Sequence, residues 1–589
     1  MKNAWRRWQV LGLVGGAALA LCAPMKDAQA CGCFTPPDPS VPVVQAGERI
    51  LFAMSNGQVT AHIQIQYQGS ATDFGWLLPL PSVPTLQLGT DELFNQLTAT
   101  TQPKYKLNRV YEGNCSFDPS RFGGLANSGQ ATPGVASGGD TSHDPSPLVI
   151  QASIGPYDYA VLKADSKDAM LQWLSDNHYF VPAGTDATVA PYIHPGAFFL
   201  ALKLHSGNST GDLQPVVVNY ASDLPMIPIV LTSVGAKPDM GIQVWMLGAG
   251  RAIPRNYYHT VIDDAVIDWN NAGQNYNDVI IRATKEAPGR HTFVTEYAGS
   301  SSVMKNLLNA PGRFGSNTEL AAQPDIQHFI DYLFAHNYGT APSNSNFGGG
   351  PVPPFAQTFS SQLLSILQNY VPVPAPLAQQ GVTAQSFYQQ IDYYLGQDQA
   401  QNPQDFAGWA PNYAPQMMAT DIDTRIVQPT LQAGALFDQF PYLTRLYTTL
   451  SPEDMNKDPV FSFNASLPDY GNVHQATLTY HCGFFGQNNA ATTPATLKTA
   501  DGWVVSYPNG TGTSFSPPNL PASSQIQTVG EEGPPDVVTN NAEVIQNSLG
   551  QSGSGCAVAL GSRATETTSG VLLLLLAMGG LLFRRRRTS

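Results

Sequence analysis

Apolar and polar side chains alternate most clearly in residues 48–69, "ERILFAMSNGQVTAHIQIQYQG". Beyond Asn56-Gly57, every second position is apolar, namely Val59, Ala61, Ile63, Ile65 and Tyr67. Successive side chains of a strand point to opposite faces, so this pattern predicts a strand with one apolar face. Asn-Gly is a strong signal for a two-residue turn. The stretch therefore predicts a β-hairpin.

Further strand patterns follow up to about residue 300. They occur in "DFGWLLPLPSVP", "GAFFLALKL", "QPVVVNYAS", "MIPIVLTSV", "GIQVWMLG" and "HTFVTEYAG". Helical periodicity is present in "TDELFNQL", "SKDAMLQWLSDNHYF" and "NYNDVIIRATKEA". Because strands predominate, this region is predicted to be a β-rich domain with a few helices.

The pattern changes after residue 300. Helical periodicity is found in "PDIQHFIDYLFAHN", "FSSQLLSILQNY", "AQSFYQQIDYYLGQ" and "LFDQFPYLTRLYTTL", which Pro-rich segments separate. Strand patterns return in "HQATLTYHC" and "GWVVSYP". Residues 508–555 have almost no hydrophobic periodicity, which predicts a flexible stalk.

Together these patterns predict an α+β fold, in which a helical insertion at about 300–460 interrupts a β-rich N-terminal part that late strands rejoin. The predicted organisation is a signal peptide at 1–30, a β-rich domain at 31–300, a helical region at 301–460, strands returning to the β-rich domain at 461–507, a flexible stalk at 508–555 and a sorting signal at 556–589.

Several of these stretches resemble a bacterial family of secreted proteins known as domain of unknown function 2330. The likeness lies in "CGCFTPP", the hairpin, "DFGWLLPLPSVP", "LQWLSDNHYFVP", "DLPMIPIVLTSV", "NYNDVIIRAT", "FVTEYAG" and "LTRLYTTLSPEDMNKDPVF", in order over roughly residues 31–485. The resemblance implies a secreted, often surface-attached domain. It implies no catalytic residues, because the family has no established activity.

The N-terminus has the three parts of a secretory signal peptide. A basic region with Lys2, Arg6 and Arg7 precedes the apolar stretch 10–23, and Ala28-Gln29-Ala30 forms a small-x-small cleavage site. The mature chain is therefore predicted to begin at Cys31. Lipidation of Cys31 is the alternative, although Ala28 and Gln29 do not fit a lipoprotein signal.

The C-terminus ends in an apolar run and four arginines. Residues 571–583 would form a helix roughly 20 Å long, whereas the hydrocarbon core is roughly 30 Å thick. The basic residues Arg584, Arg585, Arg586 and Arg587 are predicted to stay cytoplasmic, which leaves the preceding chain outside. An ordinary tail anchor is one interpretation, but the run is short for it.

Gly555-Cys556, a spacer, the Leu-rich run and the arginine cluster resemble the MYXO-CTERM sorting signal of myxobacterial surface proteins. The resemblance implies cleavage near Cys556 by a membrane-embedded protease and transfer of the body to the cell surface. The predicted location is therefore the cell surface or outer envelope, with attachment to the membrane through the C-terminus at least transiently.

Charged residues make up 12% of the chain, about half the usual share, and the formal net charge is −14. Nucleic-acid binding requires a basic footprint, so it is not predicted. The expected partners are the membrane through the C-terminal segment, the export and sorting machinery, and an unknown extracellular ligand.

Four cysteines remain between the terminal signals, namely Cys31, Cys33, Cys115 and Cys482. In an exported protein, disulfides are favoured over metal ligation. A bond between Cys31 and Cys33 would close a strained ring, so we expect these two to pair with Cys115 and Cys482. The alternative is a zinc site that includes His474 and His481, although the spacing is weak for zinc.

No catalytic motif withstands inspection. Residues 207–211 match G-x-S-x-G, but a proline and a strand follow where a nucleophile elbow needs a helix. Asp268, Asn270 and Gly273 occupy calcium-loop positions, but Val279 stands where a carboxylate is required, so a turn capping the next helix is favoured. No cofactor, metal site or catalytic residue is predicted.

Two functions therefore remain. The first is a non-enzymatic binding or structural protein of the cell envelope. The alternative is a secreted hydrolase whose catalytic groups converge only in the fold. A deep pocket that gathers titratable groups around Glu296, Asp263 or His259 would favour the hydrolase.

Overall fold

The computed structural model describes residues 33–34, 44–68, 75–115, 147–177, 185–204, 213–340, 356–409, 412–483, 489, 491–511 and 519–551. The strands in these ranges are β1 (Cys33–Phe34), β2 (Val44–Ser55), β3 (Gln58–Gln68), β4 (Gly75–Leu80), β5 (Thr85–Leu88), β6 (Lys104–Gly113), β7 (Leu148–Ile154), β8 (Tyr157–Lys163), β9 (Phe198–Leu204), β10 (Val216–Ala221), β11 (Ala236–Gly248), β12 (Arg251–Pro254), β13 (Tyr258–Ile262), β14 (Thr292–Ser300), β15 (Tyr442–Leu450), β16 (Phe461–Asn464), β17 (Val473–Cys482), β18 (Ala495–Thr499), β19 (Val504–Tyr507), β20 (Ser523–Thr528) and β21 (Asp536–Asn540).

The α-helices in the same ranges are α1 (Asp91–Thr101), α2 (Lys167–Asp176), α3 (Thr185–Val189), α4 (Ile229–Thr232), α5 (Tyr276–Glu286), α6 (Asn317–Ala321), α7 (Ile326–Ala335), α8 (Ser361–Tyr370), α9 (Ala375–Gln379), α10 (Ala384–Gln389), α11 (Ile391–Gln401), α12 (Pro403–Trp409), α13 (Pro415–Ile422), α14 (Gln428–Gln439) and α15 (Ala542–Gln551). A π-helical turn, Asp423–Val427, joins α13 to α14.

A ten-stranded sheet of order β21-β20-β13-β14-β15-β11-β2-β3-β10-β5 is the largest in the described part of the chain. One of its faces packs against a five-stranded sheet of order β1-β4-β9-β8-β7. Phe52 and Val244 from the first sheet and Trp76 and Leu200 from the second are fully buried in one apolar cluster. This interface is the main core of the β-rich part.

The other face of the ten-stranded sheet has two coverings. Helices α1 and α14 cover Leu51 and Trp245. Helix α5 and a four-stranded sheet of order β19-β18-β17-β6 cover a neighbouring area, with Ile280 and Leu478 at its centre. The candidate site described below lies on this face.

The predicted hairpin is confirmed. Strands β2 and β3 pair antiparallel, and Ser55 lies opposite Gln58. Asn56 has φ 53° and Gly57 has φ 71°, which is the left-handed pair that a two-residue hairpin turn with matching twist requires.

The predicted α+β class is confirmed. Helices α6 to α13 have a core of their own, with Phe329, Ile366, Phe387 and Met418 fully buried in it. The four-stranded sheet joins early and late residues, because β17 pairs parallel with β6. Late strands therefore rejoin the N-terminal part, as predicted.

The predicted end of the helical region, at residue 460, is wrong. Helix α14 ends at Gln439, and residues 442–450 form β15 in the middle of the largest sheet, antiparallel to both β11 and β14. Side chains of β15 are buried on both faces, including Leu443 and Leu446. Such a strand has no alternation, so its sequence pattern resembles that of a helix.

The predicted stalk at 508–555 is also wrong for the described residues 519–551. Strand β20 pairs antiparallel with β13 and β21, and α15 follows. Ala522, Ile526 and Ile545 are almost fully buried in the cluster beneath α5. These elements are short and expose much of their polar surface, which explains why no periodicity is visible.

The predicted cysteine pairing is corrected as well. Cys115 and Cys482 are bonded to each other, with their Cα atoms 5.3 Å apart. The parallel register of β6 and β17 places Cys482 opposite Gly113, two residues before Cys115. Neither cysteine is therefore available to Cys31, which lies outside the described residues, or to Cys33, which is in β1.

Glu286, the last residue of α5, anchors the segment 519–551. Its carboxylate accepts hydrogen bonds from the backbone N–H of Ala522 (2.7 Å) and of Ser523 (2.8 Å), and from the Ser523 hydroxyl. Hydrogen bonds to a charged group contribute about 1.5–3 kcal/mol each. We expect Glu286→Gln to weaken the docking of this segment by about 2–3 kcal/mol.

Hydrogen exchange measures this effect directly. Amides of β20 and α15 should lose protection in Glu286→Gln, whereas the exposed substitution Glu532→Gln should leave them unchanged. Fast exchange of these amides in the wild-type protein would contradict the docked structure and support the flexible stalk that the sequence predicts.

Candidate functional site

A polar cavity of about 420 Å³ opens on the α5 side of the ten-stranded sheet. This volume is in the range of small-molecule sites. We call it the Glu296 cavity; its lining residues are Gly47, Glu48, Arg49, Gln102, Pro103, Tyr105, Gly241, Gln243, Ala272, Gly273, Tyr276, Asn277, Glu296, Arg445 and Tyr447.

Two glycines form part of the floor. Gly47 in β2 and Gly241 in β11 lie opposite each other in adjacent strands. Since neither has a side chain, the sheet is hollow at this point. A Cβ atom on Gly241 would collide with the hydroxyl of Tyr447. The two glycines thus create the depth of the cavity.

A β-bulge aims Glu296 at the cavity. In the pairing of β14 with β15, Thr295 lies opposite Leu446 and Tyr297 opposite Arg445, so Glu296 is an extra residue between them. Bulges redirect side chains in this way, frequently next to functional sites. The side chain of Glu296 is consequently turned toward Arg445, and the residue is only 2% exposed.

Both carboxylate oxygens of Glu296 accept hydrogen bonds. Oε2 accepts from Nε of Arg445 (2.5 Å) and Nε2 of Gln243 (3.3 Å), and Oε1 accepts from the hydroxyl of Tyr276 (2.8 Å). Burial, followed by the charge of Glu296, raises the pKa of Tyr276 well above its usual value. Tyr276 therefore remains a proton donor to the carboxylate.

Arg445 is fixed from several sides. Its Nη2 donates to Oε1 of Gln243 (2.9 Å), and its Nη1 donates to the carbonyl oxygen of Thr98 (3.4 Å) and the hydroxyl of Thr101 (3.3 Å). Both threonines belong to the last turn of α1, the negative end of the helix dipole. The guanidinium also lies 5.2 Å from the ring centre of Trp245. Arg445 is thus a rigid part of the wall.

Arg49 brings a second guanidinium to the cavity. Its Nη1 donates to Oε1 of Gln64 (3.3 Å), which belongs to the paired position of β3. Burial and the charge of Arg445 both lower the pKa of Arg49, and Asp91 acts in the opposite direction. Two like charges therefore share one partly dehydrated space.

Charged side chains of both signs lie on the cavity side. Glu48 also lines the cavity, but strand alternation turns its side chain to the face of β2 that carries Ile50 and Phe52. The side chains of Arg49, Arg445 and Glu296 remain on the cavity side, and Asp91 is close enough to act on the pKa of Arg49. Carboxylates therefore stand against both guanidinium groups.

Tyr105 presents a hydroxyl that has no hydrogen-bond partner among the described residues. Its ring packs edge-on against Trp269 and stacks on His474, and the residue is 8% exposed. Gly273, with φ 76°, makes room for this ring, because a Cβ atom there would collide with it. Burial raises the pKa of Tyr105 well above its usual value, so the hydroxyl stays protonated.

The mouth of the cavity is formed by polar groups, of which those of Asn277 and Gln102 are exposed and that of Tyr447 is half-buried. The hydroxyl of Tyr447 donates to Oδ1 of Asn277 at 3.3 Å. Gln102, just beyond the end of α1, is exposed beside them. Amide and hydroxyl groups of this kind can donate to a ligand or accept from it.

His259 lies outside this cavity. Its Nε2 is 2.9 Å from the hydroxyl of Thr295, and its Nδ1 is 3.2 Å from Oε1 of Gln527. Arg251 donates to the same threonine oxygen at 3.1 Å. Burial, followed by the charge of Arg251, lowers the pKa of His259 to about 4. The imidazole is therefore neutral and weakly basic.

Asp263 lies at a third position, at the end of β13. Its Oδ1 accepts from the backbone N–H of Ala265 at 2.9 Å, and its Oδ2 has no partner among the described residues. Burial raises the pKa of Asp263 to about 7, against the hydrogen bond from Ala265, which lowers it. The negative charges of Asp501, Asp264 and Glu286 act in the same direction as burial. Of the three sequence candidates, only Glu296 lies in the cavity.

The structure does not support the zinc or calcium alternatives. His474 pairs with Asp264 (3.0 Å) and His481 with Glu112 (3.0 Å), while Cys482 is in the disulfide. Asp268 caps the short turn Trp269–Asn271 rather than α5 itself. No group of three His, Cys, Asp or Glu residues that could hold a metal ion occurs in the described ranges.

The remaining candidates lie outside the described residues. These are Cys31, residues 207–211, Cys556, Arg584, Arg585, Arg586 and Arg587. Within the described residues, every helix is too short or too polar to cross a membrane.

Sequence reasoning missed Arg49, Tyr105, Tyr276 and Arg445. One signal for Arg445 was present: an arginine within the apolar run 442–450 is unusual, because buried arginines are almost always paired. Nothing in the sequence indicated that its partner lies 149 positions earlier.

The raised pKa of Asp263 predicts a pH-dependent stability difference. The native state binds this proton more tightly than the unfolded chain, whose pKa is near 3.8, so the contribution of Asp263 to stability falls as pH rises from about 4 to 7. Asp263→Asn keeps the acceptor for Ala265 and stays neutral. Relative to wild type, its free energy of unfolding should rise by on the order of 4 kcal/mol between pH 4 and 8, at 1.36 kcal/mol per pKa unit.

Denaturant titrations of both proteins across this pH range provide the measurement. Contributions of other titrating groups cancel to first order in the difference. A difference that stays constant with pH would refute the assignment of this titration to Asp263.

Comparison with known proteins identifies a family. Residues 26–311 match a family described as "Uncharacterized protein conserved in bacteria (DUF2330)". No curated protein and no solved structure matches the chain. The matched segment includes every lining residue of the Glu296 cavity except Arg445 and Tyr447, which belong to β15.

Proposed function

Residues 26–311 belong to the DUF2330 family of uncharacterised bacterial proteins, and we propose that the protein is an exported, surface-attached binding protein. The Glu296 cavity is the proposed ligand site. A small polar molecule would occupy it.

The hydroxyl of Tyr105 is the observation that carries the binding proposal. This hydroxyl takes part in none of the hydrogen bonds among the described residues, and it lines a cavity of ligand size whose other polar groups are fixed by Glu296 and Arg445. A ligand could therefore accept a hydrogen bond from it without any rearrangement of the floor.

The titratable groups around Glu296 raise the question of hydrolysis, but their arrangement favours binding. Glu296 already accepts three hydrogen bonds, one of them from a guanidinium, which disfavours proton abstraction by its carboxylate. Among the described lining residues there is no serine, threonine or cysteine to serve as nucleophile.

Thr295 and His259 support the second candidate, a secreted hydrolase. Their 2.9 Å contact has the geometry of a nucleophile and its base, and Gln527 orients the imidazole. However, a general base works best with a pKa near the working pH, and that of His259 is about 4. Thr295 is also 3% exposed. A structural role for this pair is favoured.

Three features support export. They are the signal-peptide pattern in residues 1–30, the Cys556–arginine tail, and the bond between Cys115 and Cys482. Disulfides persist chiefly in oxidising compartments. The MYXO-CTERM resemblance supports attachment at the cell surface.

Intact-mass analysis of the protein from its native host tests this part. The expected mature chain begins at Cys31 and has lost residues 584–587 after processing near Cys556. A chain that retains the four arginines would contradict the sorting-signal interpretation and favour an ordinary tail anchor. A chain that retains residues 1–30 would overturn export.

A thermal-shift screen tests the binding site, with sugars, sugar acids, amino acids and small dicarboxylates as probes. At 100 times its Kd a ligand stabilises a protein by about 2.7 kcal/mol. We expect at least one probe to raise the Tm of the wild type. Asn277→Trp, which obstructs the mouth, should abolish this shift.

Gln274→Trp is the matched control, because Gln274 is exposed just before α5 and does not line the cavity. It should respond like the wild type. Binding at this site would be refuted if no probe shifted the Tm, or if Asn277→Trp responded equally.

A further inference from the structure

The four-stranded sheet of β19, β18, β17 and β6 has one buried face and one exposed face. Its inner face carries Leu478 and Leu497, which are fully buried in the same cluster as Ile280 of α5. Strand alternation therefore directs every second side chain outward, among them Lys106 and Lys498. We call this outward surface the lysine face. It is separate from the Glu296 cavity, which touches β6 through the inward residue Tyr105.

Three outward side chains of this face are lysines: Lys104 and Lys106 in β6, and Lys498 in β18. All three are exposed, and none forms an ion pair within the described ranges. Glu112 is the one acidic residue at an outward position of these strands, and it contacts His481 at 3.0 Å. With three lysines against one glutamate, the face is positively charged in a chain whose net charge is −14.

The strand register places an apolar side chain beside two of these lysines. Val473 in β17 lies opposite Lys104, and Val504 in β19 lies opposite Lys498. The two valines are 41% and 48% exposed. A sugar acid combines the same two properties, because its ring has an apolar C–H surface next to a carboxylate. The lysine–valine pairs therefore match the chemistry of such a unit.

Hydroxyl groups occupy the positions between these pairs. Thr477 and Thr479 face outward from β17, and Ser506 faces outward from β19. None of the three side chains forms a hydrogen bond within the described ranges. Each can both donate to the hydroxyls of a sugar and accept from them.

We propose that the lysine face binds an acidic polysaccharide, which lies extended across β6, β17 and β18. Lys104 and Lys106 are about 7 Å apart along β6, and Lys498, two strands away, is about 12 Å from Lys106. A small anion is too short to contact all three, whereas a polymer with a carboxylate on each sugar unit contacts them together. Because a single exposed ion pair contributes little, this simultaneous contact provides the affinity.

The sheet is fixed in place before any ligand arrives. The disulfide between Cys115 and Cys482 ties the end of β6 to the end of β17. The inner face is anchored in the core through Leu478 and Leu497. The backbone positions of the lysines are therefore preorganised, which lowers the entropic cost of binding.

Other classes of partner fit this face less well. Membrane-binding patches use clusters of about four to eight basic residues, and an acidic body is repelled by an anionic membrane. Protein interfaces depend on Trp, Tyr and Arg anchors, and single-stranded nucleic acids stack on aromatic rings. The outward positions of the four described strands contain no Trp, Tyr, Phe or Arg.

Oligogalacturonate and its methyl ester are matched probes, since they share rings and hydroxyl groups and differ in the charge of the carboxyl group. Calorimetric titration of the full chain should show the acid binding at least about tenfold more tightly than the ester. Scaled to three neutralised charges, the affinity for the acid should fall roughly tenfold or more between 50 and 200 mM salt.

Substitutions locate the effect. Replacement of Lys104, Lys106 and Lys498 by Gln should remove the preference, so that acid and ester bind within about twofold of each other. Replacement of Lys163, Lys305 and Lys457 by Gln is the control: it removes the same charge from exposed lysines outside this sheet, and the variant should bind like the wild type.

A further double variant tests the apolar contacts. Val473→Thr combined with Val504→Thr keeps the branched shape but removes apolar surface, so it should weaken the acid and the ester by similar factors. An unchanged affinity for both would contradict the packing of sugar rings on these valines.

Several results would overturn the proposal. They are equal binding of acid and ester by the wild type, and wild-type binding by the variant that lacks Lys104, Lys106 and Lys498. Tighter binding of single-stranded DNA or of vesicles rich in anionic lipid would assign the face to another class of partner. The thermal-shift screen with small probes tests the Glu296 cavity separately, so either proposal can fail while the other stands.

Discussion

The ion pair between Glu296 and Arg445 is the constraint on which the site depends. Both residues are less than 10% exposed, and moving two charges out of water costs several kcal/mol per ion unless other groups solvate them. Here β11, α1 and α5 supply those groups through Gln243, the last turn of α1 and Tyr276. The pair, which lies on β14 and β15, therefore joins five separate elements at one point, and all of them except α1 also line the cavity.

Local signals in the sequence were sufficient for local structure. The Asn-Gly turn, the alternation after it and the helical periodicity that starts at Ser166 all correspond to the elements that they predict. Propensity and pattern act within a few residues, so they define hairpins and amphipathic helices well. They did not identify β15, since a strand buried on both faces lacks alternation, nor β20 and β21, which are stabilised by contacts with distant residues.

The site was predictable only in part, for the same reason. Glu296 was one of three candidates, but its neighbours come from positions between 47 and 447 and meet only through strand order. The cysteine pairing was predicted wrongly for the same reason. The bond depends on the parallel register of β6 with β17, which cannot be read from the spacing of cysteines along the chain. The bulge that turns Glu296 toward Arg445 is a property of two paired strands rather than of either sequence.

The central position of β15 affects how the chain folds during synthesis. Strands β11 and β14 are made early, yet the strand that separates them follows a helical insertion of well over one hundred residues. Until residue 450 has emerged, both strands have an unsatisfied edge, which is a template for association with other chains. Under the proposed export, the chain would cross a membrane from its N-terminus and would need these edges shielded during transit. A fragment that stopped at the end of the family segment would retain them permanently.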